Sequence, residues 1–529
     1  MGIAASRCAC ALVALLLAAC ASLPDGLAQH PLRLPSHTRV APAEAPLVRI
    51  AALAGATAEL SAVRPFPQAS FALDARVELL RRAKDSIDLQ TYHLAPDGTG
   101  LAVLRELRDA AQRGVRVRLL LDDWYNTGVD DLLLGLAAYD NVELRLFNPF
   151  VMGRDGSLAR YLGLLGDFDR LNHRMHNKLL VVDGAVAMAG GRNLSDEYFL
   201  RSVQANFIDF EALLAGPVVN QLGAIFDRYW NGPDTIPIGL VPGAEAAAGP
   251  DRSARRQALE PLLQAAGAPA AGAPRDIFDR LPMGEEIDSG QFRYLLARAG
   301  AYADTPDKRR QLAQPQGRTD TLTERFLQLL GSAREEVTVI SPYFVPGPEV
   351  LAAFRDLRAR GVTVRVFTNS TASSDEPLAG AFYSRYRDNL LRTGLKLYEV
   401  ASSRLHADAR LDKLFGRSIG RLHAKLAVID RQLVLLGSMN ADPRSARLNT
   451  ELGVMVRSAE LSLAIHKAYD LDNATGTYEV RLMENGRTLE WVGQRADGSV
   501  ERLDSPPGLS LWERVRLFLL SLLVPEAWI

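Results

Sequence analysis

Cysteine is nearly missing from this 529-residue chain: Cys8, Cys10 and Cys20 are the only three, all within the first twenty residues. That excludes a disulfide framework, a thiol nucleophile or a thiolate metal site in the body of the protein. An excess of one charge is missing too. The 61 Lys and Arg offset 62 Asp and Glu, for a formal net charge of −1, so no nucleic-acid partner is expected, since binding phosphate backbones calls for surplus cations. Neither zinc-ligand spacing nor a glycine-rich nucleotide loop occurs, so neither metal nor cofactor is expected.

The chain begins with Arg7, the apolar run Ala11-Leu12-Val13-Ala14-Leu15-Leu16-Leu17, and Ala18-Ala19-Cys20. This run is too short to span a membrane and reads as a signal peptide over 1–19. The Leu17-Ala18-Ala19-Cys20 end resembles the bacterial lipoprotein signal, which implies lipidation of Cys20 and a membrane-attached lipoprotein of the cell envelope, on the periplasmic side. Plain secretion is the alternative. The Pro- and Ala-rich stretch 20–60 reads as a tether.

Beyond it, hydrophobic periodicity predicts a helix over 76–83, a strand over 86–92, a helix over 101–113 and a strand over 115–121. The same order returns at 323–330, 337–340, 349–360 and 362–367. Gly114-Val115-Arg116-Val117-Arg118 matches Gly361-Val362-Thr363-Val364-Arg365, and each glycine precedes a histidine by 62 residues (176 − 114 and 423 − 361). A shared offset of that length indicates duplication. Strands alternating with helices predict an α/β fold with one mainly parallel, helix-flanked sheet in each of two domains, 61–235 and 320–460. A Pro, Gly and Ala-rich linker or insertion of unknown order is read over 236–319. The remainder, 461–529, reads as short strands turned at Asn485-Gly486 and Asp497-Gly498, then an apolar helix from Leu511 with Arg514 and Arg516 near its start and Trp528 beyond its end. Such a helix fits a membrane interface or a terminal helix docked on the core equally well.

The duplicated histidines carry the chemistry. One copy reads Arg174-Met175-His176-Asn177-Lys178, then Asp183 and Gly190-Gly191-Arg192-Asn193; the other reads Arg421-Leu422-His423-Ala424-Lys425, then Asp430 and Gly437-Ser438-Met439-Asn440. Histidine and lysine two apart on a strand share a face. An imidazole attacks or donates a proton near neutral pH. Lys178, Lys425, Asn193 and Asn440 supply donors for phosphate oxygens. One histidine cannot readily be both neutral attacker and charged proton donor, and two copies divide these roles.

These motifs resemble the HxKxxxxD pattern of the phospholipase D superfamily. The resemblance implies two half-motifs meeting about a pseudo-twofold axis, a metal-free reaction through a phosphohistidine, His176 as nucleophile and His423 as acid. Asp183 and Asp430 complete the motif's catalytic set, although in the family this aspartate is usually structural. An acidic residue further on orients each histidine: Glu451 in the second copy, and in the first Glu211, preferred to Asp209. The other histidines, His30, His37, His93, His173, His406 and His466, are read as surface or core.

Asp88-Leu89-Gln90-Thr91-Tyr92, Asp122-Asp123, Ser341-Pro342-Tyr343-Phe344-Val345-Pro346, Asn369-Ser370 and Asp442-Pro443-Arg444-Ser445 are similar to cardiolipin synthases, within them the C type. That similarity implies transfer of a phosphatidyl group onto phosphatidylglycerol, with phosphatidylethanolamine as a candidate second lipid. Two departures bear on head-group or acceptor choice: Leu378-Ala379-Gly380-Ala381-Phe382-Tyr383 stands where the family often has a histidine, and Gln90-Thr91-Tyr92 replaces a commoner Gln-Tyr-Tyr. Competing readings are a hydrolase releasing phosphatidic acid, a secreted phosphodiesterase or nuclease, and a non-catalytic lipid-binding envelope lipoprotein. Oligomeric state is left open.

Overall fold

The computed structural model describes residues 30, 33–151, 154, 167–242, 244, 251–264, 273–314, 320–494 and 498–526; the signal-peptide segment, Cys20, Ala265–Gly272, Asp497 and Trp528 lie outside them. In the first half, strands Ser86–Thr91, Arg116–Asp122 and Val142–Phe147 are parallel neighbours. Their near-continuous burial fits a sheet covered on both faces. Even Arg118 is fully buried, paired with Asp88 at 2.7 Å and Asp227 at 2.8 Å, its guanidinium over the Phe226 ring. The helix Gly98–Gln112 starts where the Asp97 side chain accepts the N–H groups of Thr99 and Gly100, and it buries Leu101, Leu104, Leu107 and Ala111 along one stripe.

Antiparallel strands extend this core. Leu179–Val182 lies beside Ser86–Thr91, followed by Val186–Gly190, Glu211–Ala215 and Ser61–Phe66. The second half repeats the plan: Glu336–Ile340, Thr363–Asn369 and Lys396–Val400 are parallel, then Leu426–Ile429, Leu433–Gly437, Leu452–Arg457 and Leu295–Ala303 are antiparallel. The chain is thus α/β with two sheet-and-helix domains, each with a parallel core of three strands. The antiparallel flank is set by pairing between distant strands, which helix–strand alternation does not encode. Strands Thr477–Leu482, Leu489–Gln494 and Val500–Leu503 continue the second sheet.

Two expectations need correction. The stretch 236–319 is more than a linker, because its strand Leu295–Ala303 pairs with both Leu452–Arg457 and Ser61–Phe66 and so joins the two sheets. Its Ala- and Gly-rich run from Ala297 to Ala303, half-buried rather than continuously buried, carries too little apolar contrast to read as a strand. The stretch 20–60 is not a free tether from Arg33 onward. Thr38 Oγ1 donates to Asp88 at 2.8 Å, the Ala41 N–H donates to the Asp183 carbonyl at 2.9 Å, and the helix Pro46–Leu53 buries Leu47 and Ile50. A few isolated anchors carry no period for sequence to reveal.

One apolar cluster belongs to both halves and includes Met175, Leu179, Phe210, Leu422, Leu426 and Leu452. The domains therefore share a close-packed core, and whatever lies at their seam is held rigidly.

Candidate active site

The seam is stitched by backbone. Ala205–Ile208 of the first half runs parallel to Ile419–Leu422 of the second, and Met175 bridges Thr450. The His423 N–H donates to the Ile208 carbonyl at 2.7 Å, and the His176 N–H donates to the Thr450 carbonyl at 2.9 Å. Each histidine thus enters beside the acidic residue of the opposite half. His176 Nδ1 meets Glu451 at 2.9 Å, and His423 Nδ1 meets Asp209 at 2.6 Å. With Nδ1 engaged, Nε2 is the nitrogen left for chemistry.

The orientation of His423 corrects the first-half assignment. Asp209, not Glu211, holds it; Glu211 is bound by Arg76 through both carboxylate oxygens and lies 3.5 Å from Arg192. Register explains why. Gly190 is opposite Glu211 and Gly437 opposite Gly453, so the counterpart of Glu451 is Asp209, two residues before the paired position in each copy. The intervals differ, 209 − 176 = 33 against 451 − 423 = 28, so counting along the chain misses the match. Glu451 also pairs across the seam rather than with the histidine of its own copy.

The glycine positions have a steric cause. A Cβ on Gly191 would lie 2.2 Å from Asp209 Oδ1, and one on Gly437 would lie 2.1 Å from the Leu452 carbonyl oxygen. Contacts that short force a shift, so side chains there would displace the acids that aim the histidines. At the position matching Gly191 the second copy has Ser438, whose hydroxyl, with that of Ser445, donates to Glu451.

The two dyads differ electrostatically. Burial, then Lys178 and Lys425, holds His176 well below its ordinary range, so it is neutral at pH 7. Burial raises its partner Glu451 to about 7 against Lys178. Burial and Lys425 push His423 down to about 4 against the pull of Asp209. Burial alone would raise Asp209, but His423, Lys425 and Arg192 outweigh it and hold it at about 2. Only the His423 dyad thus carries a carboxylate firmly ionised at neutral pH.

Lys178 and Lys425 are buried, and each ammonium donates to the carbonyl of its own motif histidine, at 2.7 and 2.6 Å. Burial lowers Lys425 to about 8. Asn193 and Asn440 line the cleft with both histidines, and Asn193 donates to the Tyr198 hydroxyl at 2.8 Å. Asp183 and Asp430 lie elsewhere and leave the catalytic set. With φ of 55° and 50°, they sit at turns where Asp183 accepts the N–H groups of Lys84, Asp85 and Ser86, and Asp430 those of Arg334, Glu335 and Glu336. Asp183→Ala orphans those donors and is expected to cost about 1–3 kcal/mol of stability, with turnover per folded molecule unchanged. Denaturant titration and active-site-normalised rates check both halves of that statement.

The cleft has a volume of about 350 Å³ and is lined also by Tyr92, His93, Trp124, Tyr125, Tyr198, Phe207 and Tyr343. Tyr92 meets His176 edge-on, and Tyr198 meets His423 edge-on, both at 4.9 Å between ring centroids. His93, read from sequence as surface or core, belongs to this wall. Tyr198 was missed as a site residue and Asp209 was passed over for Glu211, because the signal that singles them out, position relative to the sheet register, needs the fold. Leu378 and Ala379, the sequence departures, line the cleft as well, beside Asp375 and Glu376.

The family model described as "Cardiolipin synthase, PLD-like domain" matches residues 77–230 and 326–472. Cardiolipin synthase C of Escherichia coli (strain K12) is 35% identical over 468 residues, 88% of this chain and 95% of that one. A cardiolipin synthase of Geobacillus kaustophilus (strain HTA426) is 25% identical over 389 residues, 73% of this chain and 61% of that one. The crystal structure of phosphatidylserine synthase from Haemophilus influenzae Rd KW20 shares the fold, with a TM-score of 0.52 at 14% identity, covering 85% of this chain and 90% of that one. The chain belongs to the phospholipase D superfamily and, within it, is cardiolipin synthase-like. It is a phosphatidyltransferase that acts on phospholipids.

Proposed function

We propose that this enzyme makes cardiolipin. Neutral His176 attacks the phosphorus of a glycerophospholipid through Nε2, while His423, whose low resting affinity for a proton is raised by the anionic phosphodiester entering beside it and by ionised Asp209, takes up a proton and gives it to the departing alcohol. His423, now neutral, takes the proton from the free glycerol hydroxyl of a phosphatidylglycerol. That oxygen displaces His176 from phosphorus, forming the second phosphodiester and freeing the enzyme. The bond energy kept in the phosphohistidine makes a nucleotide unnecessary.

The observation that carries the reading is the pairing of two histidines in one cleft with unlike acids, which suits one to attack and the other to proton transfer. Lys178 and Lys425 lie just behind the two histidines, Lys425 Nζ 3.1 Å from His423 Nε2, and a phosphate held between the imidazoles draws their ammonium groups from the histidine carbonyls. A single phosphodiester fits better than a polynucleotide, because the cleft lining sets one Arg, Arg444, against Glu197, Asp375, Glu376 and Asp442, too few cations for a row of phosphates. We further propose that lipidated Cys20 tethers the enzyme on the periplasmic side of a membrane, where confinement with its substrates raises their effective concentration.

In vesicles of phosphatidylglycerol, with and without phosphatidylethanolamine, the purified protein is expected to produce cardiolipin, read by mass spectrometry of the lipids. Phosphatidic acid in its place assigns a hydrolase, and no new lipid in either mixture refutes the proposal.

A further inference from the structure

The last described helix, Leu511–Leu523, is built inside out. It begins with a complete capping box, Ser510 and Glu513 each satisfying the other's backbone N–H. At 100° per residue, Leu511, Trp512, Val515, Phe518, Leu519, Leu522 and Leu523 fall on one continuous arc of about 140°, and all seven are exposed, Trp512 at 72% and Leu523 at 79%. The side turned to the protein is narrow and includes Ser521, whose hydroxyl and carbonyl accept from Arg385 at 2.6 and 3.0 Å. A helix docked to bury its apolar face would be turned the other way. Seven contiguous exposed apolar side chains form a surface of the kind that marks an interaction site.

The location of this face narrows its occupant. The helix packs on Pro377–Arg392, whose first residues, Leu378 and Ala379, line the catalytic cleft. Gly508, just before the helix, approaches the turn Thr371–Ser373 so closely that a Cβ there would lie 3.0 Å from Ala372 Cβ, and Asp375 and Glu376 of the cleft follow that turn. Tyr386 of the supporting helix also donates to Glu526. Thirteen residues extend about 20 Å, too short to cross a hydrocarbon core of about 30 Å, and Arg514 and Arg516 flank the apolar arc where lipid phosphates would lie.

We propose that this face lies in the interface of a lipid bilayer, parallel to its plane, and holds the catalytic cleft against the surface that supplies its substrates. The choice of a bilayer over a protein partner rests on the lipid reaction proposed above. Apolar side chains enter the acyl region while the Ser521 side stays on the enzyme.

Hydrogen–deuterium exchange of the full chain, with and without phosphatidylglycerol/phosphatidylethanolamine vesicles, tests this independently of turnover, so it still reports if no cardiolipin forms. Protection of 511–523 that appears only with vesicles is expected. No change on vesicles overturns the proposal, and so does protection that appears with rising protein concentration alone, which would assign the face to a second copy. A Leu519→Asp/Leu522→Asp variant is expected to lose at least about tenfold in turnover on vesicles and to match the wild type on short-chain lipids dissolved as monomers. Equal loss on both substrates, or on neither, refutes membrane docking.

Discussion

His176→Ala and His423→Ala are each expected to lower turnover by about three orders of magnitude or more, with folding retained, because each histidine is held to the opposite half chiefly through backbone that alanine keeps. The two losses differ in kind. His176 makes the covalent bond, so phosphatidyl-labelled substrate leaves no label on the His176→Ala protein. His423 supplies a proton, so a phosphatidyl ester whose alcohol leaves readily as an anion restores the first step to His423→Ala and does nothing for His176→Ala. The double variant is expected to be no worse than the poorer single one, since residues acting as one unit are not additive. Rescue of His176→Ala instead of His423→Ala would reverse the assignment. Wild-type rates in both variants would end the two-histidine scheme.

Asp209→Asn and Glu211→Gln, two positions apart, are expected to fail in opposite ways. Asp209 is ionised against the His423 ring at 2.6 Å and favours the imidazolium. Its neutral replacement lowers the affinity of His423 for a proton, so less acid is present at any given pH. Turnover should fall by about 10²- to 10⁴-fold, least at low pH, and the alkaline limb of the pH–rate profile should move to lower pH. Glu211 has no such role. Its loss leaves Arg76 buried without an ionised partner, at an expected cost of about 3–5 kcal/mol of stability, with the pH profile of the folded fraction unchanged. Rate profiles that begin near pH 3, below the resting affinity of His423, and denaturant titrations separate the two outcomes. A shifted profile for Glu211→Gln with an unshifted one for Asp209→Asn would contradict the geometry of the seam.

The contrast between these neighbours marks how far sequence reading reaches. The strands 86–91, 116–122, 336–340 and 363–369 were legible to within about two residues, because buried parallel strands write continuous apolar runs and the helices between them end at Gly114 and Gly361. The helix Ala69–Arg82 was seen only in its second half, its first turns being Ala- and Ser-containing with little contrast. Strand Leu295–Ala303 was not seen at all. Asp183 and Asp430 were legible as motif members but not as turn clamps, since three N–H groups converging on one carboxylate exist only after the helix and strand before them have formed.

The sequence by itself determined the duplication, the identity of the two histidines, their lysines and asparagines, and the α/β class, because all of these follow from local spacing and side-chain chemistry. Tertiary structure decided what lies across the seam: that each histidine is aimed by the other half's acid, that Asp209 rather than Glu211 fills that place, that Tyr198 and His93 complete the cleft, and that the final helix turns its apolar face outward. The final helix is turned by the hold of Arg385 on Ser521, and the other three share one physical reason. Register between strands far apart in the chain is set by the packing of a shared core, and a five-residue difference in loop length, which costs the fold little, is enough to hide that register from any count along the sequence.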